Sequence, residues 1–250
     1  MLFRIRAHYP ASPLMLSGLL DFLFPKTCFG CGEWGAYVCA DCLNKIKEKR
    51  ERICPVCTKP AIDGQTHPRC KNSYSLDGLT SVFAYSGLLA KIIRKLKYRF
   101  TFAVVQDLAE LFLSSLGEDE VFSWVCRQKP ILVPVTLHPA RQRWRGFNQS
   151  ELLGRQIAKN LGIKFIPKLL IRIKDTKTQS LLDKKKRQEN IKDAFIQNGA
   201  YPKSSPPAGG LNSKYLLFDD VWTTGATLRE CCRVLKRNGA SFVWGLTLAS

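Results

Sequence analysis

Acidic residues are scarce in this chain: twenty Asp and Glu face thirty-nine Lys and Arg among 250 residues, a formal charge of +19. That excess favours polyanionic partners or phosphorylated ligands, is equally compatible with a solvated surface, and says nothing about fold. Also missing is any apolar run of membrane-spanning length. The stretch LMLSGLLDFLF at residues 14–24 follows Arg4 and Arg6, but it is too short to cross a bilayer and Asp21 interrupts it. No small-residue cleavage site follows. Residues 1–24 therefore read as a short amphipathic helix packed on the body, and a soluble, cytoplasmic protein is expected. Neither GxxxxGK[ST] nor GxGxxG occurs, which weakens nucleoside-triphosphate and dinucleotide readings. No internal repeat is present apart from a recurring CxxC.

What is present is an ordinary globular balance, 45% hydrophobic and 24% charged, enough for one sizeable domain with a small appendage. Seven of the ten cysteines lie between Cys28 and Cys70. A secreted disulfide scaffold would be short, whereas this chain continues far beyond Cys70, so metal-bound thiolates in a reducing compartment are the better reading. Cys28/Cys31, Cys39/Cys42 and Cys54/Cys57 form three CxxC knuckles, and His67/Cys70 supplies a fourth pair. Eight such ligands make two tetrahedral sites, which suits zinc. Short intervals favour sequential grouping, although spacing alone leaves a crossed arrangement open. If His67 does not ligate, the second site is one ligand short, so one or two zinc ions are expected. No carboxylate or spare histidine is placed to activate water, so the sites read as structural, with a redox role for CxxC as the alternative.

Composition divides the chain into residues 1–24, a Cys/Gly/Pro-rich module at 25–75, and an α/β domain at 76–250. Apolar runs at 79–85, 131–135, 169–173, 215–218 and 242–248 read as strands. Residues 88–98, 102–116 and 148–161 carry apolar positions at helical spacing. Alternating strands and helices imply a mainly parallel sheet covered on both faces, with ligands at the carboxyl ends of its strands. The Pro/Gly/Ser-rich stretch YPKSSPPAGGLNS reads as a loop.

The segment YLLFDDVWTTGATLRECC that follows combines a buried strand, two acids, a tight turn and a helix. Leu228, Cys231, Cys232 and Leu235 mark the helix face, Lys236 and Arg237 suit its negative end, and Gly239 suits its stop. The turn offers free N–H groups at a helix amino terminus, where an anion is stabilised. Gly225 permits close approach, and Thr223, Thr224 and Thr227 add hydroxyls. A phosphate monoester fits that cup. Asp219 and Asp220 would repel phosphate, so they must face another part of the ligand, and a ribose diol supplies hydrogen-bond donors. The combination asks for a 5-phosphorylated ribose. Helix capping by the aspartates is the plainer alternative, and burial of both acids in contacts with neighbouring side chains would remove the diol reading.

LLFDDVWTTGAT resembles the phosphoribosyl-pyrophosphate (PRPP) signature of type I phosphoribosyltransferases over twelve positions. The resemblance implies that fold, with Asp219 and Asp220 on the ribose hydroxyls and Thr223, Thr224, Gly225, Ala226 and Thr227 around the 5-phosphate. It further implies catalysis in which nearby carboxylates stabilise a cation-like anomeric carbon as magnesium-bound pyrophosphate leaves.

Upstream, Asn148 and Glu151 form a plausible capping pair that puts RQRWRGF just before a helix. Arg141, Arg143 and Arg145 alternate and could converge on one side of an extended segment to hold pyrophosphate, or be surface arginines. The cluster around Lys184 and Arg187 is either a solvated helix face or a hood over an anionic substrate. Taken together, RGFNQ (145–149), the T-x-T-Q…L…R..N…A-F pattern (Thr176, Thr178, Gln179, Leu182, Arg187, Asn190, Ala194, Phe195) and the phosphoribosyl signature resemble the ComF/GntX family of competence-related proteins. That resemblance implies a part in DNA uptake for transformation, alongside a helicase-like partner and other uptake proteins. Two functions are thus expected: a magnesium-dependent phosphoribosyltransferase using PRPP, its catalysis retained or vestigial, and a nucleic-acid-binding factor whose pocket senses a phosphorylated ribose or single-stranded DNA without turnover. No segment specifies an acceptor, and no interleaved aromatic-basic stripe marks a single-strand groove.

Overall fold

The computed structural model describes residues 26–49, 51–97, 102–117, 119–176, 189–200 and 213–250. The expected helix at 1–24, and Lys184 and Arg187, lie outside them. Among the described residues no helix is long and apolar enough to cross a membrane.

Four strands form a wholly parallel sheet in the order β1-β6-β5-β2: β1 Gly78–Phe83, β2 Ile131–Pro134, β5 Lys214–Val221 and β6 Phe242–Ala249. The two central strands, β5 and β6, are nearly continuous in apolar residues because both of their faces are covered. Leu216, Phe218, Trp244, Leu246 and Leu248 enter the core beneath α2 (Gly87–Leu96), α3 (Phe102–Leu116), α4 (Glu120–Arg127) and α6 (Gln149–Leu161). Tyr215, Leu217 and Val243 enter the opposite core under α7 (Ala226–Arg237). Leu89, Ile92, Ile93 and Leu96 of α2 are each at most 1% exposed, and side chains buried so fully contribute roughly 1.5–3 kcal/mol apiece. The expected α/β class, a parallel sheet flanked by helices with an amino-terminal zinc-binding module, is therefore present.

Three local expectations need correction. The strand at Leu170–Arg172 (β3) does not join the parallel sheet. It pairs antiparallel with β4, Phe195–Gln197, a strand hidden in the sequence at the end of a lysine-rich run. Both strands are only three residues long, too short for a periodicity to register. The arginine segment is not extended: Pro139–Arg145 is a helix, α5, started by Pro139 in its first turn and by His138, whose Nδ1 accepts from the Ala140 amide, and ended by Gly146 at φ 81°. Finally, β5 does not end at Phe218 but runs through Asp219 and Asp220 to Val221, which puts both acids on the strand itself.

The cysteine module is tied to the sheet at two places. Isolated bridges join Glu48 to Phe83 and Gln65 to Gly78, and α1, Ala40–Asn44, carries the buried Cys42. Each half of the module has its own small antiparallel bridge, Thr27 with Trp34 and Ile53 with Pro60.

Candidate functional site

None of the ten cysteines is in a disulfide. Their ligand atoms gather sequentially: Cys28, Cys31, Cys39 and Cys42 in one cluster, and Cys54, Cys57, His67 and Cys70 in the other, all within 4.8 Å of one another in each. In the first cluster the Cys28–Cys39 and Cys31–Cys39 sulfurs lie 3.7 Å apart. Zinc–sulfur bonds of about 2.3 Å give a tetrahedral edge of about 3.8 Å, so the donor set fits zinc. Backbone amides of Gly30 and Cys39 point at Cys28 Sγ, each at 3.4 Å, as charge-bearing thiolates need.

His67 takes the place of a fourth CxxC cysteine in a definite tautomer. Its Nε2 lies 3.0 Å from the carbonyl of Pro60, which can only accept, so Nε2 carries the proton. Nδ1 is left as the lone-pair nitrogen and faces Cys57 Sγ at 3.4 Å. That is the arrangement a zinc-ligating histidine requires.

The second constellation is built at the carboxyl end of β5. Asp219 and Asp220 point to opposite faces of the strand. Asp220 is buried; its Oδ2 pairs with Lys97 Nζ at 3.1 Å and accepts from Gln149 Nε2 at 3.0 Å. Asp219 is partly exposed, and its Oδ1 accepts from Ser150 Oγ at 3.0 Å and from the Asp220 amide at 2.9 Å. No described residue donates to its Oδ2. Two free diol acceptors were expected; side-chain contacts engage one oxygen of each acid, Oδ1 of Asp219 and Oδ2 of Asp220, and of the two acids only Asp219 is partly exposed.

Burial and the adjacent charge of Asp220 push the Asp219 carboxyl up to about 7, against the hydrogen bonds from Ser150 and the Asp220 amide. Burial acts on Asp220 in the same direction, but Lys97 and the Gln149 hydrogen bond outweigh it and hold that carboxyl low. Burial opposes the Lys97 charge, and Asp220 in turn outweighs it and raises the ammonium.

Beyond the acids, Trp222 is buried, Thr223 exposed and Thr224 buried. Gly225 adopts φ +73° and leads directly into α7 at Ala226, with Thr227 in its first turn. A side chain at Gly225 would meet the Trp222 ring at 2.2 Å and be strained by the left-handed backbone, so both close approach and conformation require glycine. The twelve-residue helix thus presents its amino terminus beside the acid pair.

Helical geometry places Arg141 and Arg145 on one face and turns Arg143 away to solvent. Arg145 donates to Gln149 Oε1 at 2.7 Å, and Gln149 donates onward to Asp220, so the arginine helix is joined to the acid pair. Arg141 donates to the Thr176 carbonyl at 2.8 Å. Arg172, 5% exposed and stacked 5.6 Å over Phe195, donates to the Thr176 hydroxyl. Lys97, Ser150 and Arg172 were not marked as site residues by the sequence. Lys97 ends an amphipathic helix and resembles any helix-terminal lysine, so only the tertiary fold identifies it. Asn148 does cap α6 through the Ser150 amide, but Glu151 pairs with Arg155 instead of completing a capping box.

The double zinc ribbon domain family matches residues 19–71, and zinc binding follows from that match together with the two clusters. The chain is 30% identical over 233 residues to the DNA utilization protein YhgH of Salmonella typhimurium, covering 88% of this chain and 94% of that one. It is 32% identical over 181 residues to competence protein F of Haemophilus influenzae, covering 72% and 76%. Identity to competence protein ComFC of Bacillus subtilis is 30% over 223 residues, covering 84% and 83%. With relatives at this identity and coverage, the chain belongs to the ComF family.

Proposed function

We propose that the end of β5 and the turn after it bind PRPP, and that the chain is a phosphoribosyltransferase-like protein serving DNA utilisation during uptake. The carrying observation is the placement of Asp219, with a free carboxylate oxygen, beside a glycine turn that opens a helix amino terminus. The 5-phosphate would lie on the amides and hydroxyls of Thr223–Thr227, and a ribose hydroxyl would donate to Asp219. Asp220 would act through Lys97 and Gln149, keeping a negative charge beneath the anomeric carbon. Arg141 and Arg145 would face the pyrophosphate, with Lys184 and Arg187 closing from the hood. Magnesium would arrive with the pyrophosphate and screen its charge. The names of the relatives support a role in DNA utilisation and competence. A helicase and other uptake proteins would be its partners in that role. Titration calorimetry with PRPP, with and without magnesium, tests the reading: magnesium-dependent binding is expected, and its absence at every magnesium concentration would remove it.

A second reading is favoured by Trp144, which is 71% exposed between Arg143 and Arg145. An exposed aromatic among guanidinium groups is a stacking platform for an unpaired base. On this reading the chain binds single-stranded DNA, and affinity should fall steeply between 50 and 200 mM salt, by about tenfold or more where several phosphates are neutralised. A flat salt response would exclude it.

A further inference from the structure

Arg229 joins two parts of the molecule that the sequence keeps far apart. It sits one turn into α7, and its guanidinium lies 5.7 Å over the Trp222 ring. Nη1 donates to the carbonyls of Pro55 at 3.1 Å and Val56 at 3.0 Å, while Nη2 donates to the carbonyl of Thr224. Pro55 and Val56 are the two residues between Cys54 and Cys57. A metal holding both flanking sulfurs fixes that short turn and aims its carbonyls. Thr224, at the other end of the fork, belongs to the glycine turn.

Peptide planarity gives this contact its consequence. In a trans peptide the carbonyl of one residue and the N–H of the next point in opposite directions. Drawing the Thr224 carbonyl back toward Arg229 therefore turns the Gly225 N–H forward, toward the cup at the start of α7. Trp222 fills the space behind Gly225 and closes the alternative. Charge acts in the same sense: three thiolates around a divalent ion leave a net negative centre, and the guanidinium offsets it.

The first centre is built into the other side of the sheet. There Lys91 Nζ donates to the Gly30 carbonyl at 2.8 Å, and Cys28 and Cys42 pack with α2 in the core opposite α7. The two centres are therefore not equivalent with respect to the glycine turn.

We propose that the second metal centre is the back wall of the glycine turn and that Arg229 is the positioning residue between them, so that metal at Cys54, Cys57, His67 and Cys70 sets how well the turn holds a phosphate. The phosphate part rests on the sugar-phosphate reading above; the mechanical coupling does not. Hydrogen exchange on the full-length, zinc-loaded protein measures the coupling without ligand, and calorimetry with ribose 5-phosphate measures its effect on binding. Arg229→Met should keep both zinc ions by metal analysis. Its amides in residues 223–228 should exchange at least about tenfold faster, and affinity for ribose 5-phosphate should fall about tenfold. His67→Ala, which weakens the second centre and leaves Arg229 in place, should loosen the same amides. Lys91→Met, which cuts the first centre's tie to α2, should leave them unchanged. Wild-type exchange across 223–228 in Arg229→Met, or in His67→Ala after loss of its zinc, overturns the proposal. If the wild-type protein takes up no ribose 5-phosphate, the sugar-phosphate reading fails while the exchange result still decides the coupling.

Discussion

Chelation of zinc is expected to remove hydrogen-exchange protection across residues 26–44 and to lower the melting temperature by more than about 10 °C. The amino-terminal ribbon has almost no core of its own. Its buried side chains, Cys28, Phe29, Val38 and Cys42, belong to the large core that α2 and the sheet share. Phe29 packs on Tyr37 with ring centroids 5.8 Å apart and lies under Lys95 at 5.0 Å, so its position depends on a loop that only the metal closes. Gly30 adds a second dependence, because a side chain there would meet Cys42 Sγ at 2.5 Å. Structural zinc is worth about 10–16 kcal/mol to such a module, against about 5–15 kcal/mol for the net stability of a whole domain. Loss of zinc should therefore expose Phe29 and Val38 and loosen α2 as well. Metal analysis should give two zinc ions per chain, falling to one in Cys42→Ser. Cys126→Ser, outside both clusters, should keep both. A chelated protein that melts and exchanges like the untreated one would show that the thiols serve another purpose.

Much of this architecture could be read from the sequence because each local signal agreed with its tertiary setting. β5 and β6 are continuous apolar runs and were buried central strands by composition alone. Asp219, Asp220 and Gly225 stood out because two acids at a strand end before a Thr-Gly turn have few structural uses. Where signals were short or ambiguous, the fold decided. Three residues of β4 at the end of a basic run carry no periodicity, and β3 found that partner in place of the parallel sheet. RQRWR alternates charge as an extended segment would, yet Pro139, His138 and Gly146 supply a complete helix start and stop, and local capping prevailed. The partners of the acids were not legible at all. Lys97 and Ser150 are ordinary residues of helix ends, and what they do depends on which strand end the helix meets.

Replacing Asp219 with asparagine is expected to weaken sugar-phosphate binding and to stabilise the protein at alkaline pH, an opposition that follows from the carboxyl's raised pKa. In the unfolded chain Asp219 loses its proton near 3.8; in the folded protein it keeps it to about 7. Between those values the folded state binds more protons, so this group's contribution to stability is full below about pH 4 and is lost as pH rises through about 7. Asparagine carries no such burden. The melting temperature of Asp219→Asn relative to wild type should climb from near equality at pH 4–5 to a gain of several degrees at pH 8, about what a few kcal/mol of removed ionisation penalty gives. Asp220→Asn should behave oppositely. Asp220 is held low by Lys97, so its contribution is present above about pH 4 and lost on acidification, and its removal leaves the mostly buried Lys97 ammonium without its partner. That variant should be destabilised at pH 7 and converge on wild type in acid. Binding separates the roles further. A charged acceptor for a ribose hydroxyl is worth about 1.5–3 kcal/mol, so Asp219→Asn should weaken ribose 5-phosphate by about ten- to a hundredfold at pH 8. At pH 5, where wild-type Asp219 is itself protonated, the two proteins should bind more nearly alike. Thermal melts and calorimetry at pH 5 and 8 measure both effects. A difference between Asp219→Asn and wild type that does not change with pH would mean that this carboxyl is ionised throughout, with Asp220 and Lys97 no longer setting its charge.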